Sequence, residues 1–115
     1  MVGQLTWMAE PGPLPPSFHL EPSFPNPFNP STTIAYALPE PAFVTLGVYD
    51  ALGRSVRTLV REAEPARRHA VQWNGQDDTG RRVPSGVYLY RLEATAASGA
   101  PPHLYSDHKK MVLIQ

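Results

Sequence analysis

From Ala42 to Tyr49 the chain alternates, with Ala42, Val44, Leu46 and Val48 apolar and Phe43, Thr45, Gly47 and Tyr49 between them. A period of two sends the first set to one face of a strand, the arrangement that half-burial in a sheet requires. The same spacing predicts strands through Ile34, Tyr36 and Leu38, and through His69, Val71 and Trp73. In Gly86 to Ala94, Tyr88, Tyr90 and Leu92 fall on one side and Val87 and Leu89 on the other. Its first half therefore reads as buried on both faces and inside a sheet, and Met111 to Ile114 reads the same way. Arg54 to Arg61 is rich in β-formers, but Val56 and Leu59 are three apart, which predicts a bulge or an irregular edge.

Turn chemistry separates these runs. Asp50-Ala51-Leu52-Gly53 suits a tight hairpin with glycine at a positive φ, Asn74-Gly75 and Thr79-Gly80 mark a longer turn, and Pro84-Ser85-Gly86 introduces the next strand. No stretch free of proline and glycine carries three turns of i, i+3, i+4 apolar spacing. The expectation is an all-β fold, an antiparallel β-sandwich of about seven short strands.

Composition changes this picture at the N-terminal end. Of the 14 prolines, ten precede residue 42, and Pro11, Pro13, Pro15 and Pro16 crowd the first 17 positions. Proline removes donors and biases its predecessor toward extended backbone, so residues 1–17 are expected to form a semi-rigid linker or tether and residues 18–115 the folded domain. A chain of 115 residues supports one modest core. Ten basic and ten acidic side chains give no net charge, which disfavours nucleic acid and anionic lipid as partners. The absence of cysteine removes disulfides, thiolate metal sites and cysteine nucleophiles. No apolar run reaches the ~20 residues of a transmembrane helix. Met1 to Glu10 lacks the basic and apolar regions of an export signal, so an exported form is expected to belong to a longer precursor.

The segment Phe24-Pro25-Asn26-Pro27-Phe28-Asn29-Pro30-Ser31-Thr32-Thr33-Ile34 resembles the opening of the C-terminal sorting domains of type IX-secreted bacterial proteins. The likeness continues through Val48-Tyr49-Asp50-Ala51-Leu52-Gly53-Arg54, Trp73-Asn74-Gly75, Asp77, Gly80 and the run from Pro84 to Leu92. It closes with Lys109-Lys110-Met111-Val112-Leu113. These motifs follow the family's order over residues 18–115. The body is also similar to the Ig-like domain of the flagellar hook-capping protein, in its Trp-x-Gly and Gly-Val-Tyr patterns. The resemblance implies an Ig-like sandwich with no cofactor, a covalently linked N-terminal passenger, and export via the periplasm to the cell surface or medium. Its implied partners are the outer-membrane secretion machinery and a sortase-like peptidase. It further implies recognition through Pro84, Gly86, Tyr88, Lys109, Lys110 and Val112. Thr95 to Tyr105, with Gly99, Pro101 and Pro102, is longer than the family's last connection. Two alternatives come from other classes: a carbohydrate-binding accessory module, and a structural Ig-like spacer of a secreted hydrolase.

Chemistry on the chain is sparse. Asn74, Asp77 and Asp78 offer oxygens as a calcium loop does, yet without the Asp-x-Asp-x-Asp-Gly register or a closing glutamate, so hydrogen-bonded turns are expected and no metal. Trp73, Tyr88 and Tyr90 could stack on sugar, but alternation assigns them to the core. Phe43 and Tyr49, on the opposite parity from Val44 and Val48, are candidates for an exposed contact surface. His19, His69, His103 and His108 are dispersed, with solvated or strand-surface positions expected, and no serine sits in a Gly-x-Ser-x-Gly elbow, so no enzyme is expected. Arg54, Arg57, Arg61, Arg67 and Arg68 are expected to decorate one strand pair, as a charged edge or as a docking patch for an anionic surface glycan.

Overall fold

The computed structural model describes residues 13–96 and 102–115. Most of the expected linker, and the middle of the Thr95 to Tyr105 stretch, lie outside the described residues. Among those described, the chain forms seven strands and no helix. They are β1 (His19–Leu20), β2 (Thr32–Leu38), β3 (Ala42–Asp50), β4 (Ser55–Glu64), β5 (Arg67–Trp73), β6 (Gly86–Ala96) and β7 (His103–Leu113). Strands β1-β2-β5 make one sheet and β4-β3-β6-β7 the other, with neighbours antiparallel throughout. This is an Ig-like β-sandwich.

The alternation decides what lies between the sheets. Ile34, Tyr36 and Leu38 of β2, and Val44, Leu46 and Val48 of β3, are buried, and they meet Tyr88, Tyr90 and Leu92 of β6 and Met111 and Leu113 of β7. Burial of this apolar surface, at roughly 25 cal/mol per Å², is the main force closing the sandwich. Trp73, 1% exposed, sits at one end of the core, 5.7 Å from the Phe28 ring and 5.4 Å from Tyr88. Its indole N–H donates to the Gln76 carbonyl at 2.9 Å, so the polar edge of this large side chain stays satisfied.

Several expectations need correction. β6 does lie inside a sheet, between β3 and β7, but Val87 is 42% exposed and Leu89 half-buried, because no element among the described residues packs on the outer face of the four-stranded sheet. Met111 to Ile114 is likewise not buried on both faces. Met111 and Leu113 face the core, Val112 is half-buried and Ile114 is 52% exposed, since β7 is an edge strand. The five central arginines do not decorate one strand pair. β4 pairs with β3 and β5 with β2, so the chain changes sheets at Pro65-Ala66 and separates Arg57 and Arg61 from Arg67 and Arg68. His69 is buried, its inward parity placing it 5.2 Å from the stacked Tyr36 ring with Nε2 2.8 Å from the Pro65 carbonyl. The Tyr36 hydroxyl donates to Glu64, and burial pushes its pKa above the ordinary tyrosine value. β4 is both an edge and bulged, with register shifts opposite Leu46/Gly47 and Val48/Tyr49. The described ends of the Thr95 to Tyr105 stretch extend the β6–β7 ladder, which pairs Thr95 with Leu104 and Ala96 with His103.

Candidate functional site

β6 pairs with the whole length of β7, from Gly86 opposite Leu113 to Ala96 opposite His103. The other side of β7 is an edge, and an edge offers a row of unpaired backbone groups. Part of that row is filled from residues 24–30. Pro25, Pro27 and Pro30 have no N–H, so Asn26, Phe28 and Asn29 hold the donors in between. The Phe28 N–H donates to the Val112 carbonyl at 2.9 Å, and the Ile114 N–H donates back to the Phe28 carbonyl at 2.9 Å. Two residues upstream the Asn26 side chain substitutes for backbone. Its Oδ1 accepts from the Val112 N–H at 2.9 Å and its Nδ2 donates to the Lys110 carbonyl at 3.3 Å. The peptide bonds before all three prolines are cis.

The same segment is tied to the opposite sheet. Phe24 and Thr33 exchange backbone hydrogen bonds at 3.0 and 2.9 Å, and the Thr32 hydroxyl donates to the Pro25 carbonyl at 2.7 Å. Further up, the Tyr90 hydroxyl donates to the Glu21 carbonyl at 2.8 Å, and Phe18 stacks on Tyr105 at 5.3 Å. Residues 18–30 thus close the open side of the sandwich between β2 and β7.

The six expected recognition residues come together around the end of β7. Gly86 lies opposite Leu113, and Tyr88 opposite Met111. Pro84 is exposed, but Tyr88 is only 5% exposed and its hydroxyl donates to the Pro84 carbonyl at 2.6 Å, so the tyrosine packs and orients the turn and does not face a partner. Lys109 and Lys110 point to opposite faces. Lys109 shares the inward parity of Met111 and is half-buried, whereas Lys110 stands exposed beside Leu89 on the outer face. Val112 is half-buried, opposite Val87. The last residue is held as well. The Gln115 N–H donates to the Ser85 hydroxyl at 3.0 Å, its side-chain amide donates to the Val83 carbonyl, and its Oε1 accepts from the Arg82 guanidinium. Gly75, at φ 76°, allows close packing here, because a Cβ would meet the Pro30 carbonyl at 3.3 Å and Leu113 at 3.5 Å.

The oxygens of the Asn74 to Gly80 loop diverge. Asp77 Oδ1 accepts from the Thr79 hydroxyl at 2.6 Å, the Thr79 N–H at 2.9 Å and the Arg81 N–H at 3.0 Å. The Thr79 hydroxyl, more than any other group, holds the Asp77 carboxyl below its ordinary pKa. Asp78 turns away to accept from the Thr58 N–H at 3.0 Å, capping the edge of β4, and the Asn74 amide donates to Gln76 at 3.3 Å. Of the aromatic residues considered for sugar stacking, Trp73 and Tyr90 are at most 1% exposed and Tyr88 5%. Sequence reasoning missed Asn26 and Phe28. The signal was present in the Pro-x-Pro spacing, which leaves alternate residues as the donors for an edge.

The two sheets, their strand order and the turns define an Ig-like domain, and the chain belongs to the FlgD Ig-like domain family, whose pattern matches residues 28–98. Among solved structures, FlgD of Pseudomonas aeruginosa is similar at a TM-score of 0.57 and 20% identity, over 71% of this chain and 61% of that one. FlgD of Xanthomonas campestris, whose structure is described as giving insights into the hook capping essential for flagellar assembly, aligns at 0.56 and 23%, over 84% of this chain and 66% of its own. Latent PorU of Porphyromonas gingivalis aligns at 0.65 and 22%, over 83% of this chain but 9% of its own. PorZ of the same organism, described as an essential surface component of the type IX secretion system, aligns at 0.51 and 22%, over 85% of this chain and 11% of its own. No protein of curated function matches the chain significantly.

Proposed function

We propose that this domain is a non-catalytic C-terminal sorting and anchoring module. It directs a covalently linked N-terminal passenger from the periplasm across the outer membrane to the cell surface or medium, through recognition by the outer-membrane secretion machinery, with a sortase-like peptidase as a further partner. One observation carries this reading. The family pattern matched by residues 28–98 omits Asn26 and the whole of β7, the parts in which the chain resembles sorting domains most specifically. Those two parts are joined to each other, through Asn26 to Lys110 and Val112 and through Phe28 to Val112 and Ile114. Covering an edge serves any sandwich; what supports the sorting reading is that this edge is built from the two motifs that resemble sorting domains. The likeness to PorU and PorZ supports the same direction at the level of the fold.

The test is export of a fluorescent passenger with an N-terminal export signal and residues 18–115 at its C-terminus, in a bacterium that has type IX machinery. The passenger is expected at the surface or in the medium. Retention in the periplasm, with the domain protected from protease and therefore folded, would leave the sorting reading without support.

A further inference from the structure

The outer face of the four-stranded sheet carries a charge pattern that the fold does not require. The chain has no net charge, yet by strand register this face carries Arg61 of β4, Arg91 of β6 and Lys110 of β7, with the carboxylate of Glu93 beside Arg91. His108 lies directly opposite Arg91. Many of the acidic groups sit elsewhere, in turns, as Asp50, Asp77 and Asp78 do, or on the inward parity of edge strands, as Glu62, Glu64 and Asp107 do.

Arg91 is held in place. Its Cζ lies 5.0 Å from the Tyr49 ring centroid, its Nη2 donates to the Tyr49 hydroxyl at 3.3 Å, and its Nε lies 3.7 Å from Glu93 Oε2. The tyrosine can lie down on the sheet because its neighbour two residues back is Gly47. A Cβ there would stand 3.0 Å from the Tyr49 hydroxyl and 3.3 Å from its ring carbons. Beside this pair is a shallow cavity of about 290 Å³ lined by Tyr49, Gly53, Leu89, Arg91 and His108.

We infer that this face docks an acidic, extended polypeptide segment of a partner protein, with a carboxylate on Arg91 and an apolar side chain on Leu89. Three features select that occupant. The cations stand in excess on this face, so the attraction is for anions. The guanidinium is pre-oriented with a planar fork that matches a carboxylate, and less entropy is lost on pairing. The face that Tyr49 turns outward already carries Arg91, so it is not an open platform for a sugar ring. The inference does not depend on the sorting reading, because it concerns the purified chain without secretion machinery.

The test uses the whole 115-residue chain and a fluorescein-labelled peptide of alternating Glu and Leu, with anisotropy for affinity and amide shift mapping by NMR for location. Alginate, a carboxylate polysaccharide, is the comparison probe. Binding is expected at low salt and to be largely lost at ~0.5 M salt, with shifts centred on Gly47, Tyr49, Leu89, Arg91 and His108. Arg91→Ala is expected to weaken it about tenfold, the equivalent of one charge-assisted pair, and Arg67→Ala, on the other sheet, to leave it unchanged. Absence of binding, shifts centred elsewhere, an unaffected Arg91→Ala variant, or tighter binding of alginate than of the peptide would each overturn the inference. The mapping on the unmodified chain decides the matter even if a variant fails to fold.

Discussion

Asp77 is only partly buried, and its turn supplies three hydrogen-bond donors to one carboxylate oxygen. Its folded pKa therefore lies below the ordinary 3.8. For an acid depressed in this way, the stabilisation is full above the unfolded value and is lost as pH falls through the folded one. Asp77→Asn should accordingly lower the melting temperature at neutral pH and flatten its fall below about pH 4, where the wild-type carboxylate takes up its proton. An unchanged acid limb would count against the turn's role. Calcium should not shift the melting temperature of the wild-type chain, because the loop oxygens are aimed at separate partners; a bound ion would raise it by mass action. Trp73→Ala should cost roughly 3–5 kcal/mol in denaturant titration, since it empties the end of the core between Phe28 and Tyr88. Parity made Trp73 and Tyr88 readable as core residues from the chain alone. The same parity separates Lys109 from Lys110 and buries His69; His69 shares the spacing of Val71 and Trp73, but its polar ring argued for the surface until the Pro65 carbonyl and the Tyr36 ring supplied partners.

At the scale of elements, β2, β3, β5 and β6 were visible as alternation, whereas of β7 only Met111 to Leu113 was visible, as an apolar run. From His103 to Lys110 that strand is largely polar, and its order comes from the backbone ladder to β6, a long-range pairing with no local signature. β1 spans two residues, too short for any period to show. The cap on β7 was hidden for a different reason, since it depends on an asparagine side chain 86 positions away in sequence acting as a peptide group. Asn26→Ala removes both of its bonds to β7. The expected cost is about 1–2 kcal/mol, with faster hydrogen exchange at the Val112 amide than at Leu113 or Met111, whose inner ladder to β6 is untouched. Equal exchange at all three amides would show that Asn26 does not hold the edge.

For the molecule as a whole, the sandwich follows from strand periodicity and turn residues, and its membership of the FlgD Ig-like family agrees with both. The proposed sorting role was suggested in the sequence only by a likeness of motifs in residues 24–34 and 109–113. What the fold adds is their meeting: residues 24–30 and β7 form one edge, and Lys110 stands exposed on the sheet face that adjoins it. The most direct measurement is the fraction of folded passenger outside the cell for three fusions of residues 18–115: wild type, Lys110→Ala and Lys109→Ala. Each alanine should change stability by no more than about 0.5 kcal/mol, because lysines with solvated ammonium groups contribute little. Wild type should be exported, with Lys110→Ala impaired more than Lys109→Ala because only Lys110 faces outward. A folded wild-type fusion held in the periplasm, together with both variants, would contradict the central claim that this edge and face are what the secretion machinery reads.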